Sequence, residues 1–122
     1  MITLKDKLYQ KIQEQRPRTK NLLKKHGDKV IDHVTVSQAI GGMRGIKSLV
    51  TDISYLDPNE GIRYRGYTLP EVLEKLPKPD DSEMPYVEGL YHLLLTGEIP
   101  TTKEVEELMT NFRNRRTVPS YV

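Results

Sequence analysis

The sequence predicts a mainly α-helical chain with one small β-meander near residues 30–67. Three observations carry that expectation. Apolar residues recur at helical spacing over residues 1–27 and again over 68–117, β-branched and aromatic residues gather in short runs between 30 and 67, and Thr-x-x-Glu pairs open two of the later helical stretches. A chain of 122 residues accommodates one domain of ordinary size and not two with separate cores.

From Thr3 to Gly27 the composition is that of a surface helix, with Leu4, Leu8 and Ile12 four apart and charges between them. Pro17 is expected to end that helix and start a second short one, since proline is tolerated in a first turn and not in a helix interior. Lys24-Lys25-His26-Gly27 reads as a helix C-terminus, with cations against the negative end of the dipole. The runs VIDHVTV, SLVTDISYL and GIRYRGY read as three short strands. Leu56 to Gly61 joins the last two as a hairpin turn, with Pro58 preset for its second position and Gly61 free to take positive φ. Alternation then puts Ile62 and Tyr64 on one face and Arg63 and Arg65 on the other.

Beyond residue 67 the pattern is helical. Thr68 with Glu71 forms a capping box, and Leu69, Val72, Leu73 and Leu76 follow on one face before Pro77. Lys78 to Met84 is a polar linker; Tyr86 to Thr96 is apolar nearly all round, which marks a largely buried helix ending at Gly97. Thr101 with Glu104 caps the last helix, whose buried stripe is Val105, Leu108, Met109 and Phe112, and Arg113, Arg115 and Arg116 close it.

Composition removes several classes of function. Nineteen Lys and Arg against 17 Asp and Glu leave a formal charge of +2, with the signs interspersed, which is too mild a balance to imply nucleic acid. Absence of cysteine excludes disulfides, thiolate nucleophiles and cysteine metal sites. The longest apolar run, Leu93 to Leu95, is far below the roughly 20 residues needed to span a bilayer. A charged N-terminus lacks the apolar core of a signal peptide, so a cytoplasmic chain, or a matured organellar one, is expected.

No catalytic motif emerges from the residues alone. His26, His33 and His92 form no i, i+4 pair and no ligand set with carboxylates, so no metal site is expected. His92 reads as a satisfied core residue. No serine or threonine sits in a G-x-S-x-G turn, and Gly41-Gly42 with Gly45 matches neither a dinucleotide fingerprint nor a P-loop. What remains is Arg44, held between glycines in IGGMRGIKS, together with Arg63 and Arg65. Arginine suits bidentate contact with phosphate or carboxylate, and a glycine turn lets a ligand approach backbone N–H groups. A solvated turn with an incidental charge accounts for the same residues, and locally both readings stand.

The segments GGMRGIK, LDP-x-EGIR-x-RGY and LLLTGEIPT, in that order and spacing, resemble the N-terminal region of citrate synthase of the mitochondrial-like and bacterial type, over about Leu4 to Val122. The resemblance implies an all-α homodimeric transferase with a little β-structure near its N-terminus, of which residues 1–122 form the N-terminal part of the large domain. It implies an acyltransferase of the tricarboxylic acid cycle that condenses acetyl-CoA with oxaloacetate and water to give citrate and CoA, with no separate cofactor, nucleic acid or membrane. The catalytic groups of the family lie C-terminal to the matched region, so this chain alone is expected to be an inactive fragment without catalytic or metal-binding residues. Arg44 matches the family arginine that contacts the phosphates of coenzyme A, whereas Arg63 and Arg65 are left as structural. Two alternatives remain at this level: a stand-alone binding or interaction module, and part of a 2-methylcitrate synthase, because the residues choosing acetyl over propionyl lie elsewhere. The compartment implied is the bacterial cytoplasm or the mitochondrial matrix.

Overall fold

A computed structural model describes residues 3–47 and 49–121. It contains, in order, α1 (Leu4–His26), α2 (Val36–Ile40), β1 (Ser54–Asp57), β2 (Gly61–Tyr64), β3 (Tyr67–Thr68), α3 (Leu69–Lys75), α4 (Val87–Thr96) and α5 (Thr102–Asn114). The chain divides into two compact units, one made of residues up to 11 with residues from 52 onward, the other of residues 12–51.

The first unit holds the core. Val72, Leu76 and Leu93 are buried together, with Tyr64, Tyr67, Leu90 and Ile99 packed against them, and Val105 and Leu108 are buried on α5. The three strands form an antiparallel meander in the order β1-β2-β3, with Asp57 opposite Gly61 and Tyr64 opposite Tyr67. Its first turn falls where the sequence predicts, with Gly61 at φ +91°, and the Asp57 carboxylate braces it by accepting from the Asn59 and Glu60 amides at 2.8 and 3.0 Å.

Both capping boxes expected in this half are present. The Thr68 hydroxyl accepts from the Glu71 amide while Glu71 accepts from the Thr68 amide, and Thr101 and Glu104 repeat the arrangement. Gly97 closes α4 in the left-handed region, φ +76°, as helix-terminating glycines do. Burial on α4 is narrower than the sequence suggests: Gly89, His92, Leu93 and Thr96 are buried, whereas Val87 and Tyr91 are exposed. Tyr91 instead stacks edge-on against Phe112 of α5 with ring centroids 5.5 Å apart, so Phe112 is a half-exposed partner and not part of a buried stripe.

The second unit departs furthest from expectation. Pro17 does not end the first helix; α1 runs unbroken through it for 23 residues. Proline removes one amide and crowds the preceding turn, but Gln13, whose carbonyl loses its partner, is exposed to water, and Lys, Gln, Arg and Leu favour helix on both sides. The strand expected at VIDHVTV is absent. Residues 29–35 have no regular structure, and Val36 opens the short helix α2 behind a Thr35–Gln38 capping box. The β-branched run has no neighbouring strand to pair with, and local capping chemistry wins. The meander therefore spans residues 54–68, not 30–67. Of SLVTDISYL only Ser54 onward is strand, Ser48 lying outside the described residues, and GIRYRGY divides into two strands.

Candidate functional site

Arg44 sits in the turn that follows α2. Gly41 caps the helix, its amide donating to the Ser37 carbonyl at 2.8 Å, and the Met43 amide donates back to the Gln38 carbonyl at 2.8 Å. Three residues around the arginine then adopt positive φ: Gly42 at +81°, Met43 at +61° and Gly45 at +73°. Glycine takes that region freely, but an unbranched L-residue pays roughly 1–2 kcal/mol for it, so Met43 is a strained position immediately before the arginine. The Gln38 side chain, already part of the capping box, donates to the Arg44 carbonyl at 3.4 Å. The local sequence thus folds α2, its cap and the turn as one hydrogen-bonded piece. It presents Arg44 to solvent, with exposed Lys47 three residues on.

Arg63 and Arg65 do not share a strand face, contrary to the alternation expected from the sequence. Arg63 stays on β2, bonds Glu60 through Nε at 2.8 Å and donates from Nη1 to the Gly66 carbonyl at 2.9 Å. Hydrogen bonding to Glu60 raises its already high pKa. Arg65 leaves the strand: with Gly66 it forms the two-residue connection between β2 and β3.

His92 is 1% exposed. One ring nitrogen, Nδ1, lies 3.2 Å from both the Glu98 carbonyl and the Thr96 hydroxyl. Since the Thr96 hydroxyl donates to the His92 carbonyl, the arrangement favours a proton on Nδ1. The other nitrogen, Nε2, is buried without a partner, so His92 is a core residue only half satisfied. It borders a cavity of about 30 Å³ with Thr3, Leu4, Glu104, Glu107, Leu108 and Asn111. That volume holds about one water and no organic substrate.

Beside this cavity, unforeseen from the sequence, lies a cluster of ion pairs. Lys7 of α1 bonds the Glu104 carboxylate in the first turn of α5 and lies 3.6 Å from Glu98, which Lys11 reaches at 2.8 Å. Burial pushes the Glu104 carboxyl up, but hydrogen bonds from Lys7 and from the Thr101 amide and hydroxyl outweigh it and hold the group at about 2. Hydrogen bonding to Lys11 lowers Glu98, and hydrogen bonding to Glu104 raises Lys7. The readable signal was Lys7 and Lys11 one helical turn apart. Among the described residues no group of three or more His, Cys, Asp or Glu could hold a metal ion, and no helix is long and apolar enough to cross a membrane.

A mainly helical chain with a short antiparallel meander is consistent with the family that comparison with known proteins finds. The family described as "Citrate synthase, C-terminal domain" matches residues 42–122, a stretch that includes Arg44. The mitochondrial citrate synthases of Aspergillus niger and Neurospora crassa are each 46% identical over 120 residues, and that of Saccharomyces cerevisiae is 47% identical. Each alignment covers 98% of this chain but only 25–26% of the relative. The chain belongs to the citrate synthase family and spans about a quarter of the length of the relatives it matches.

Proposed function

We propose that residues 1–122 are the N-terminal part of the large domain of a citrate synthase, and that Arg44 holds the phosphates of coenzyme A. The complete enzyme would condense acetyl-CoA with oxaloacetate and water, its catalytic groups supplied by the rest of the polypeptide, and would act as a homodimer needing no further cofactor. The mitochondrial names of the relatives favour the matrix as its compartment.

The observation that carries the reading is the backbone around Arg44. Three positive φ values, one of them on Met43, hold the turn in a conformation that an incidental surface charge does not require. An exposed guanidinium on such a turn offers a forked donor to a phosphate while the glycines leave the approach open. Family membership through a match that includes this turn supports the same reading.

Steady-state kinetics of the complete enzyme carrying Arg44→Ala test it. Loss of a charge-assisted contact of about 1.5–3 kcal/mol raises the KM for acetyl-CoA by roughly 10- to 100-fold and leaves that for oxaloacetate in place. Unchanged constants for both substrates would remove Arg44 from the coenzyme site.

A further inference from the structure

We infer that Gln38 is a positioning residue for Arg44, its side-chain amide steadying the peptide plane that follows the arginine. The inference rests on the coenzyme reading of Arg44 and adds to it the residue that aims the guanidinium. Its starting point is a choice the chain makes against its own habit. In α1, α2, α3 and α5 a threonine and the side chain three residues on exchange bonds with each other's backbone amides. That side chain is acidic at Asp6, Glu71 and Glu104, and an amide at Gln38. A carboxylate would cap α2 equally and would suit the positive end of the helix better. What glutamine has and glutamate lacks is an N–H donor.

The donor has a use. The Thr35 amide and hydroxyl donate to Gln38 Oε1 at 3.0 and 3.1 Å. Because a backbone amide can only donate, Oε1 is the atom that faces Thr35, and Nε2 is left to donate to the Arg44 carbonyl at 3.4 Å. The main chain of the same residue takes the other side of the turn, its carbonyl accepting from the Met43 amide at 2.8 Å. One peptide plane before Met43 and one after Arg44 are thus bonded to a single residue.

Between those two planes lie only the φ and ψ of Met43 and Arg44. They include the strained Met43 φ of +61°, and they set the direction in which the Arg44 side chain leaves the backbone. The Ile46 amide, 3.4 Å from the Met43 carbonyl, closes the turn but acts on the plane between Met43 and Arg44. At 3.4 Å in an exposed turn the Gln38 side-chain bond is a weak one, so it narrows the orientations of a turn that other bonds already form. A larger fraction of the free protein then holds its guanidinium ready, and apparent affinity rises with that fraction.

The test compares Gln38→Glu, Arg44→Ala and the double variant in the complete enzyme. Glutamate keeps the capping box, as Glu71 and Glu104 do, and replaces the donor by an oxygen that the Arg44 carbonyl repels. Gln38→Glu raises the KM for acetyl-CoA about threefold, the scale of one weak hydrogen bond, while kcat, the KM for oxaloacetate and the melting temperature hold. In the Arg44→Ala background the same change has no effect, because Gln38 acts only through the arginine. An equal rise in both backgrounds assigns the effect to the new carboxylate repelling the phosphates and overturns the positioning role. A melting temperature that falls along with the change in KM reduces Gln38 to a capping residue and overturns it too. An unchanged acetyl-CoA KM in Gln38→Glu, beside a raised one in Arg44→Ala, overturns the positioning role and leaves the coenzyme reading standing. If Arg44→Ala itself has no effect, the coenzyme reading falls and the positioning role falls with it.

Discussion

Replacing Lys7 by methionine removes one cation from the start of α1 and keeps an unbranched apolar stem in its place. Lys7 and Glu104 have side chains 22% and 20% exposed, so their pair is shielded from water more than the neighbouring Glu98 contacts, where the carboxylate is 44% exposed. Opposite charges about 3 Å apart attract by roughly 5 kcal/mol at an effective dielectric constant of about 20. Desolvation of both groups offsets most of this, leaving a net stabilisation of about 1–2 kcal/mol. The pH dependence identifies the source. Glu104 titrates from about 4.5 when unfolded to about 2 when folded, so between those values the unfolded chain binds a proton that the folded chain does not. Stability therefore rises with pH across that window and is lost as pH falls through it. Lys7 is raised, so its share persists through neutrality and fades only above its ordinary value of 10.5. Urea unfolding followed by far-UV circular dichroism should find Lys7→Met less stable by about 1–2 kcal/mol at neutral pH, with a shallower acid decline that brings the two proteins together as Glu104 protonates. A deficit of equal size at neutral pH and at the acid end would show lost packing in place of lost charge, and no deficit at all would refute the reasoning.

Two further outcomes follow from burial. Leu93 is 0% exposed at the centre of the core, so Leu93→Ala should cost about 3 kcal/mol in the same unfolding assay, and a loss below about 1 kcal/mol would mean the site collapses freely. The 122-residue chain exposes Leu22, Leu23, Val30, Ile31, Val36, Ile40, Leu49 and Val50 together with other large apolar groups. Light scattering should find its mass rising with concentration, and a compact monomer at high concentration would contradict this.

Elements whose signals are local were legible in the sequence. The Thr68 and Thr101 boxes, the Asp57-Pro58 turn and Gly97 each depend on residues within four positions of one another, and each forms as read. The first strand was not legible, because a β-branched run becomes a strand only where another strand lies beside it, and here Thr35 caps a helix instead. Arg65 was misplaced for a related reason. Alternation assigns faces within a strand, but Gly66 allows a two-residue reversal, and the carbonyls that hold the guanidinium lie 29 and 30 positions away. The Lys7–Glu104 pair is likewise invisible to any local rule. As for the site, the glycines of IGGMRGIKS marked a turn, but nothing in the letters said that Met43 would take positive φ beside Gly42 and Gly45.

The strain at Met43 has a consequence for where the candidate site gets its order. Among the described residues of the unit 12–51 none is buried, and only Gln38 and Ile46 are even partly covered. Buried apolar surface is the main favourable term that holds a backbone in a costly conformation, at about 25 cal/mol per Å². Here the turn is held instead by the Thr35–Gln38 capping box and by backbone bonds from Gly41 and Met43, each of net worth about 1 kcal/mol. Those bonds are opposed by the roughly 1–2 kcal/mol of one non-glycine residue at positive φ and by the entropy of ordering a segment with no buried side chain, so the Arg44 turn in this chain is only weakly held. A phosphate binding there would have to supply the ordering free energy itself, which weakens apparent affinity in proportion to the competent fraction. Cover over the exposed Val36, Ile40 and Met43 would shift that balance, so coenzyme A should bind the isolated chain far more weakly than the complete enzyme. Calorimetric titration of both decides the point: equal affinities would mean that the turn is already rigid on its own bonds.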